Sequence, residues 1–194
     1  GFEAVTASLV GAIESLRTDA YELGERKKEL ARLETDMAIL EKRMGVQSQR
    51  LAEQETQREN LRQVSELFER DEASVMTEGR NILIRAVGLT FAPGSHQIDS
   101  RNFNLLTKLQ KAINLYPGFS ILIEGHTDAF GSDSANLNLS FARAESVKQY
   151  LKANINGRQI EAIGYGETRP IANNETAAGR EKNRRIDLVL RPPL

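Results

Sequence analysis

The apolar residues of the first fifty or so positions recur every seven: Leu9, Leu16, Leu23, Leu30, Met37, Met44 and Leu51. Seven residues are close to two turns of α-helix, so these side chains form one seam along a single helical face, the pattern of a coiled coil. No proline occurs before Pro93, and the stretch from Phe2 to about Val75 is dense in Ala, Leu, Glu, Arg and Gln, all good helix formers. The companion positions are Ile13 and Ala20 at first, then Leu33 and Leu40, so the stripe steps sideways near Lys27. After Gln47 the companion line turns polar at Gln54 and resumes at Leu61, Val64 and Phe68. Unbroken, such a helix would run roughly 110 Å at about 1.5 Å per residue, too long to bury its stripe on its own globule. The seam therefore predicts an elongated homodimer through the N-terminal helix, with a fold-back hairpin at Gly45 as the other solution. The helix is read first as a solvated spacer and second as a partner-binding rod.

Charge divides the chain at the same place. Up to Glu78 there are eleven Lys and Arg against seventeen Asp and Glu; from Gly79 onward the balance is fifteen against ten. All five prolines and eight of the eleven aromatics lie at Phe91 or beyond. Residues 1–78 are expected to form the helical coiled-coil region and residues 79–194 a globular domain of ordinary size. The chain has no cysteine, so no disulfide is available. A spread-out excess of positive charge on the globule, next to an acidic rod that repels phosphate, argues against nucleic-acid binding. The first residues, GFEAVTASLVGAIESL, carry acids and no basic-then-apolar run, so they predict neither a signal peptide nor a membrane span. Because the chain opens at Gly1 rather than Met, further sequence is expected upstream, and any membrane attachment would lie there.

The second part alternates strand and helix patterns. Asn81–Phe91 reads as a strand, with a turn at Ala92–Ser95; Ile98, Phe103, Leu106, Leu109, Ala112 and Ile113 fall at helical spacing. Phe119–Glu124 is a second strand. A helix follows from about Asn136 to Ala153, with Phe141, Ala144, Val147, Tyr150 and Leu151 read as its inner face. Ile160–Tyr165 and Arg185–Leu190 complete the set, with a polar, irregular loop between them from Gly166 to Arg184. The expected class is α+β: a two-layer β-α-β-α-β-β sandwich with a mixed sheet, both helices on one face, preceded by the long helix.

The chemistry concentrates in Ile121–Arg143, a buried strand, a turn of small polar residues and an amphipathic helix. Asp128 falls just past the carboxyl end of the strand and Arg143 early in the helix, so an acid and a base can converge on one pocket. A ligand bearing both an ammonium and a carboxylate suits that pair, Asp128 taking the ammonium and Arg143 the carboxylate through its planar fork. Each residue has a plainer alternative: Asp128 can cap its own turn, Arg143 can be a surface arginine, and Asn136 can be an N-cap. His126 invites a metal reading with Glu124 and Asp128, but the set is poor for zinc without a second nearby histidine or any cysteine. Neither a metal nor another cofactor is expected. Ser132, Ser134 and Ser140 show no nucleophile elbow and the only other histidine is His96, so a hydrolase lacks its machinery and no enzyme is expected.

GHTD at Gly125–Asp128, Gly131, Asn136, Leu139 and Ser140, Arg143 and Ala144, GYGE at Gly164–Glu167, Pro170, Asn174 and GREKNRRI at Gly179–Ile186 together resemble the OmpA-like peptidoglycan-binding domain, the Pal and MotB type. The resemblance covers about Ile84–Leu190 and leaves the helix outside. It implies a non-catalytic module that holds the peptide stem of Gram-negative peptidoglycan and anchors an envelope protein, such as an outer-membrane lipoprotein, to the wall from the periplasm. It also implies that Asp128 and Arg143 clamp the zwitterionic end of meso-diaminopimelate, that Thr127 and Asn136 line the pocket, and that Arg184 or Arg185 lies near it. At the first turn the chain departs from the family, with Ala92, Pro93 and Gly94 where many members carry Asp or Asn. The alternative is an assembly protein of the flagellar-stator or secretion-accessory kind, in which the coiled coil is the working part.

Overall fold

The computed structural model describes residues 1–193 and falls into two compact units, Gly1–Thr56 and Gln57 onward. Helix α1 (Phe2–Glu66) crosses the division and passes through Gly45 without a break, so the fold-back considered there does not occur. In the first unit the seven seam residues are each 53–70% exposed, an apolar stripe with nothing covering it within the chain. The last turns of α1 belong to the second unit. There Val64 is fully buried, Leu61 packs against the core, and Asn60 Nδ2 donates to the Leu115 carbonyl at 3.0 Å. Leu61, Val64 and Phe68, read in the sequence as a resumed coiled-coil stripe, are thus core residues of the globule.

The second unit is built on a five-stranded mixed sheet of β1 (Ser74–Glu78), β2 (Asn81–Ala86), β3 (Ser120–Gly125), β4 (Ile160–Gly164) and β5 (Ile186–Arg191), in the order β1-β2-β5-β3-β4. β3 and β4 are parallel and every other pair is antiparallel. Helices α2 (Phe103–Asn114) and α3 (Asp133–Asn154) pack on one face, over Ile84, Ile121, Ile123, Leu188 and Leu190. Leu83, Leu122 and Val189 form a smaller apolar cluster on the other face with Met76.

Two elements differ from the sequence reading. β1 was not expected: its only sizeable apolar residues are Val75 and Met76, and it is held as an edge strand by the tight turn at Gly79, whose φ of 61° suits glycine. The boundary drawn at 78/79 therefore falls inside this β1–β2 hairpin. The loop after β4 also contains a short helix, α4 (Ala177–Asn183), capped by Thr176, whose hydroxyl accepts from the Gly179 N–H at 3.0 Å.

The inner stripe of α3 runs Asn136, Ser140, Arg143, Ala144, Val147, Leu151, all buried. Its second half is apolar core and its first half is polar. Phe141, read as inner, is half exposed instead. The polar half comes close to the sheet because Gly125 and Gly164, paired in register at the ends of β3 and β4, have no side chains: a Cβ on Gly125 would overlap the Ser140 carbonyl, and one on Gly164 the Phe141 amide. Gly125→Ala is accordingly expected to lower unfolding stability by about 3 kcal/mol, in the upper part of the range for overpacking, as read from urea denaturation.

Candidate functional site

Past the end of β3 the backbone is pinned on both sides. The His126 N–H donates to the Arg185 carbonyl at 3.0 Å and the Thr127 N–H to the Gly166 carbonyl at 2.9 Å. Asp128 follows, 8% exposed. One of its oxygens caps the turn, accepting the Phe130 N–H at 3.1 Å; the other accepts Arg184 Nη1 at 2.6 Å. The capping role and the charge role, alternatives in the sequence, are divided between the two oxygens of one carboxylate. α3 then starts at Ser132, whose hydroxyl accepts from the Ala135 N–H at 3.3 Å, so Ser132 and not Asn136 is the N-cap. Asn136 is buried one turn in, where its Nδ2 donates to the Asp128 carbonyl at 3.3 Å and to Glu167 Oε2 at 2.6 Å. It ties the Asp128 turn to the loop after β4.

Arg143 stands in the third turn of α3 and is 5% exposed. Its Nε donates to the Ser95 carbonyl at 2.9 Å and its Nη2 to the Ala92 carbonyl at 3.4 Å, while its guanidinium carbon lies 5.1 Å from the centre of the Phe91 ring. The turn that departs from the family pattern thus contributes backbone carbonyls that hold the guanidinium. No carboxylate bonds to Arg143 among the described residues. Burial, and then the positive charge of Arg184, push it below the usual arginine range, with Asp128 opposing. The guanidinium opens on a cleft of about 90 Å³ walled by Phe91, His126, Glu181, Arg184 and Arg185. Thr127 is buried beside Asp128 with no partner for its hydroxyl.

The two arginines that the sequence left as alternatives separate. Arg184 turns to Asp128, with its side chain 44% exposed. Arg185 borders the same cleft with its donors taken: its Nε donates to Asp187 Oδ2 at 3.0 Å, and its remaining nitrogens to the carbonyls of Asn183 and Arg169. Strand alternation contains the reason. Arg184 has the parity of Ile186 and Leu188, which face the helices, and Arg185 that of Asp187, which does not. The alternation in RIDLVL carries this signal.

On that second face Glu124, His126 and Asp187 place one ligand atom each within 4.8 Å of the others; Asp128, named with Glu124 and His126 in the metal reading, is not in the group. Both ring nitrogens of His126 are buried without a hydrogen-bond partner among the described residues. Burial, reinforced by the charges of Arg185, Arg169 and Arg85, lowers its pKa from 6.5 to about 3. The same three guanidiniums oppose a divalent cation at this point. A histidine kept neutral in the fold, but free to protonate when unfolded, contributes stability that is complete above pH 6.5 and is lost as pH falls toward 3. We expect the His126 ring signals to stay flat in an NMR titration from pH 8 to 4. Stability should also decline below pH 6.5 by up to about 1.4 kcal/mol per pH unit more than in His126→Asn.

Residues 90–184 match the OmpA family. The probable lipoprotein YiaD of Escherichia coli is 33% identical over 121 residues, which are 61% of this chain and 55% of that protein. The peptidoglycan-associated lipoprotein of Buchnera aphidicola is 33% identical over 100 residues, 51% of this chain and 58% of that one. Among solved structures, the cell wall anchor of the type VI secretion system from Pseudomonas aeruginosa superposes with a TM-score of 0.57 at 26% identity, covering 63% of this chain and 90% of that one. The chain spans between 22% and 58% of the length of the curated relatives it matches.

Proposed function

Taking the second unit as an OmpA-like domain, we propose that it binds peptidoglycan without covalent chemistry, by the zwitterionic end of meso-diaminopimelate in the peptide stem, and so anchors an envelope protein to the cell wall. The observation that carries this is Arg143: a guanidinium buried to 95% that donates only to neutral carbonyls. A buried cation without an anion is costly, and a ligand carboxylate in the cleft beside it would remove that cost. Asp128 supplies the matching charge for the ligand ammonium. Thr127, with its hydroxyl unspent, is assigned a direct contact. Asn136 orients Asp128 through its carbonyl, Arg184 shares the carboxylate, and Arg185 stabilises the loop through Asp187 without touching the ligand. The relatives named as lipoproteins and the wall-anchor structure support a periplasmic setting at the outer membrane, and a binding rather than an enzymatic role. Asp128→Ala and Arg143→Ala should each weaken binding to diaminopimelate-type sacculi by about 30-fold or more while leaving the thermal transition in place, since removing one member of a buried charged contact costs roughly 2–5 kcal/mol. Equal pull-down by wild type and variants would remove the assignment.

We further propose that α1 pairs with the α1 of a second copy through the seam from Leu9 to Leu51, which places two wall-binding domains on one assembly. The uncovered seam supports this, because a continuous helix with seven half-exposed Leu and Met residues on one face gains most by burying them against an identical face. Sedimentation equilibrium of the whole chain is expected to give twice the chain mass, and Met37→Glu to return it to a monomer. A concentration-independent monomer for the wild type would refute the pairing.

A further inference from the structure

Phe130 is 69% exposed, more than any other large hydrophobic residue of the second unit among those described. It is not a loose side chain. Its N–H is fixed to Asp128 Oδ1 at 3.1 Å, and the next residue, Gly131, holds a φ of 109° that suits glycine. The guanidinium carbon of Arg180 lies 4.9 Å from the centre of its ring. Arg180 is itself anchored, its Nη1 donating to the carbonyls of Asn174 and Glu175 at 2.9 and 3.0 Å. Its Nε and Nη2 have no partner among the described residues. The fold thus leaves an aromatic ring in water, forgoing its burial, and sets beside it a positioned cation with unused donors.

We propose that Phe130 and Arg180 form a second subsite beside the Asp128 turn, which takes the stem residue bonded to the diamino acid. This rests on the reading of Asp128 and Arg143 as the clamp. The turn that carries Asp128 also carries the ring, two residues on. A diamino acid held at Asp128 by its free end meets its neighbour across its own five-carbon chain, roughly 6 Å at about 1.5 Å per bond, which brings that neighbour within reach of Phe130. In diaminopimelate walls that neighbour is a glutamate joined through its side-chain carboxyl. It presents two methylenes and a free α-carboxylate, the first suited to the ring and the second to the open edge of Arg180.

The test is calorimetry of the whole chain with three ligands: free meso-diaminopimelate, the tripeptide L-Ala-γ-D-Glu-meso-diaminopimelate, and the same tripeptide with its glutamate α-carboxylate amidated. Wild type should bind the tripeptide about tenfold more tightly than the free amino acid. Phe130→Ser and Arg180→Lys should lose that advantage while binding free diaminopimelate as wild type does, and amidation should remove it from the wild type. Phe130→Ser lies on the surface, so its result does not depend on a perturbed α4. Equal binding of the tripeptide by wild type and Phe130→Ser, or an equal loss for tripeptide and free amino acid, overturns the subsite. A wild type that binds neither ligand overturns the clamp, and the subsite with it.

Discussion

The close approach of α3 to the carboxyl ends of β3 and β4 sets the rest of the second unit. Gly125 and Gly164 leave room for the backbone of α3 at Ser140 and Phe141, and the Ser140 hydroxyl spans the contact, donating to the Leu137 carbonyl and accepting the Gly166 N–H at 2.8 Å in each case. With that contact made, the polar half of the helix's inner stripe lies over the strand ends rather than over the apolar core. Arg143 is thereby buried where it meets the carbonyls of Ala92 and Ser95, and Asn136 where it meets the Asp128 turn. The close packing and the burial of charge are one arrangement, since a side chain at either glycine would lift the helix and let water reach both.

Charge is then sorted by face. The helix side carries Asp128, Arg143 and Arg184; the other side carries Arg85, Arg185 and Asp187, with the neutral ring of His126 between. On the second face both guanidiniums have an anionic partner, because Asp187 accepts from Arg85 and from Arg185. On the first, one guanidinium has only neutral partners. The proposed clamp rests on that asymmetry, although both faces are built from the same residue types a few positions apart.

Much of this was legible in the sequence, and the failures have physical causes. The heptad seam, the α+β class, the strands β2 to β5 and both packed helices follow from apolar periodicity. β1 escaped it because an edge strand needs backbone pairing more than apolar side chains, and α4 because seven residues hold too few turns to show a period. Leu61, Val64 and Phe68 keep helical spacing whether they face a second helix or a sheet, so spacing alone could not tell the seam from the core. Asp128 and Arg143 could be named from their residue types and positions. The partners that define their chemistry, the carbonyls of Ala92 and Ser95 for Arg143 and the guanidinium of Arg184 for Asp128, arise only from tertiary contact. Phe130 gave no signal at all, since one phenylalanine in a polar turn has no pattern to break.

The central claim is that Arg143 is the unspent cation of the cleft and Arg185 is not. The most direct measurement is an NMR titration of the chain with meso-diaminopimelate that follows the arginine Nε–H signals. The account predicts that the Arg143 Nε–H and the Phe130 amide shift together and saturate at the same ligand concentration, while the Arg185 Nε–H stays where it is. Ligand binding that moves Arg185 and leaves Arg143 unchanged would contradict it.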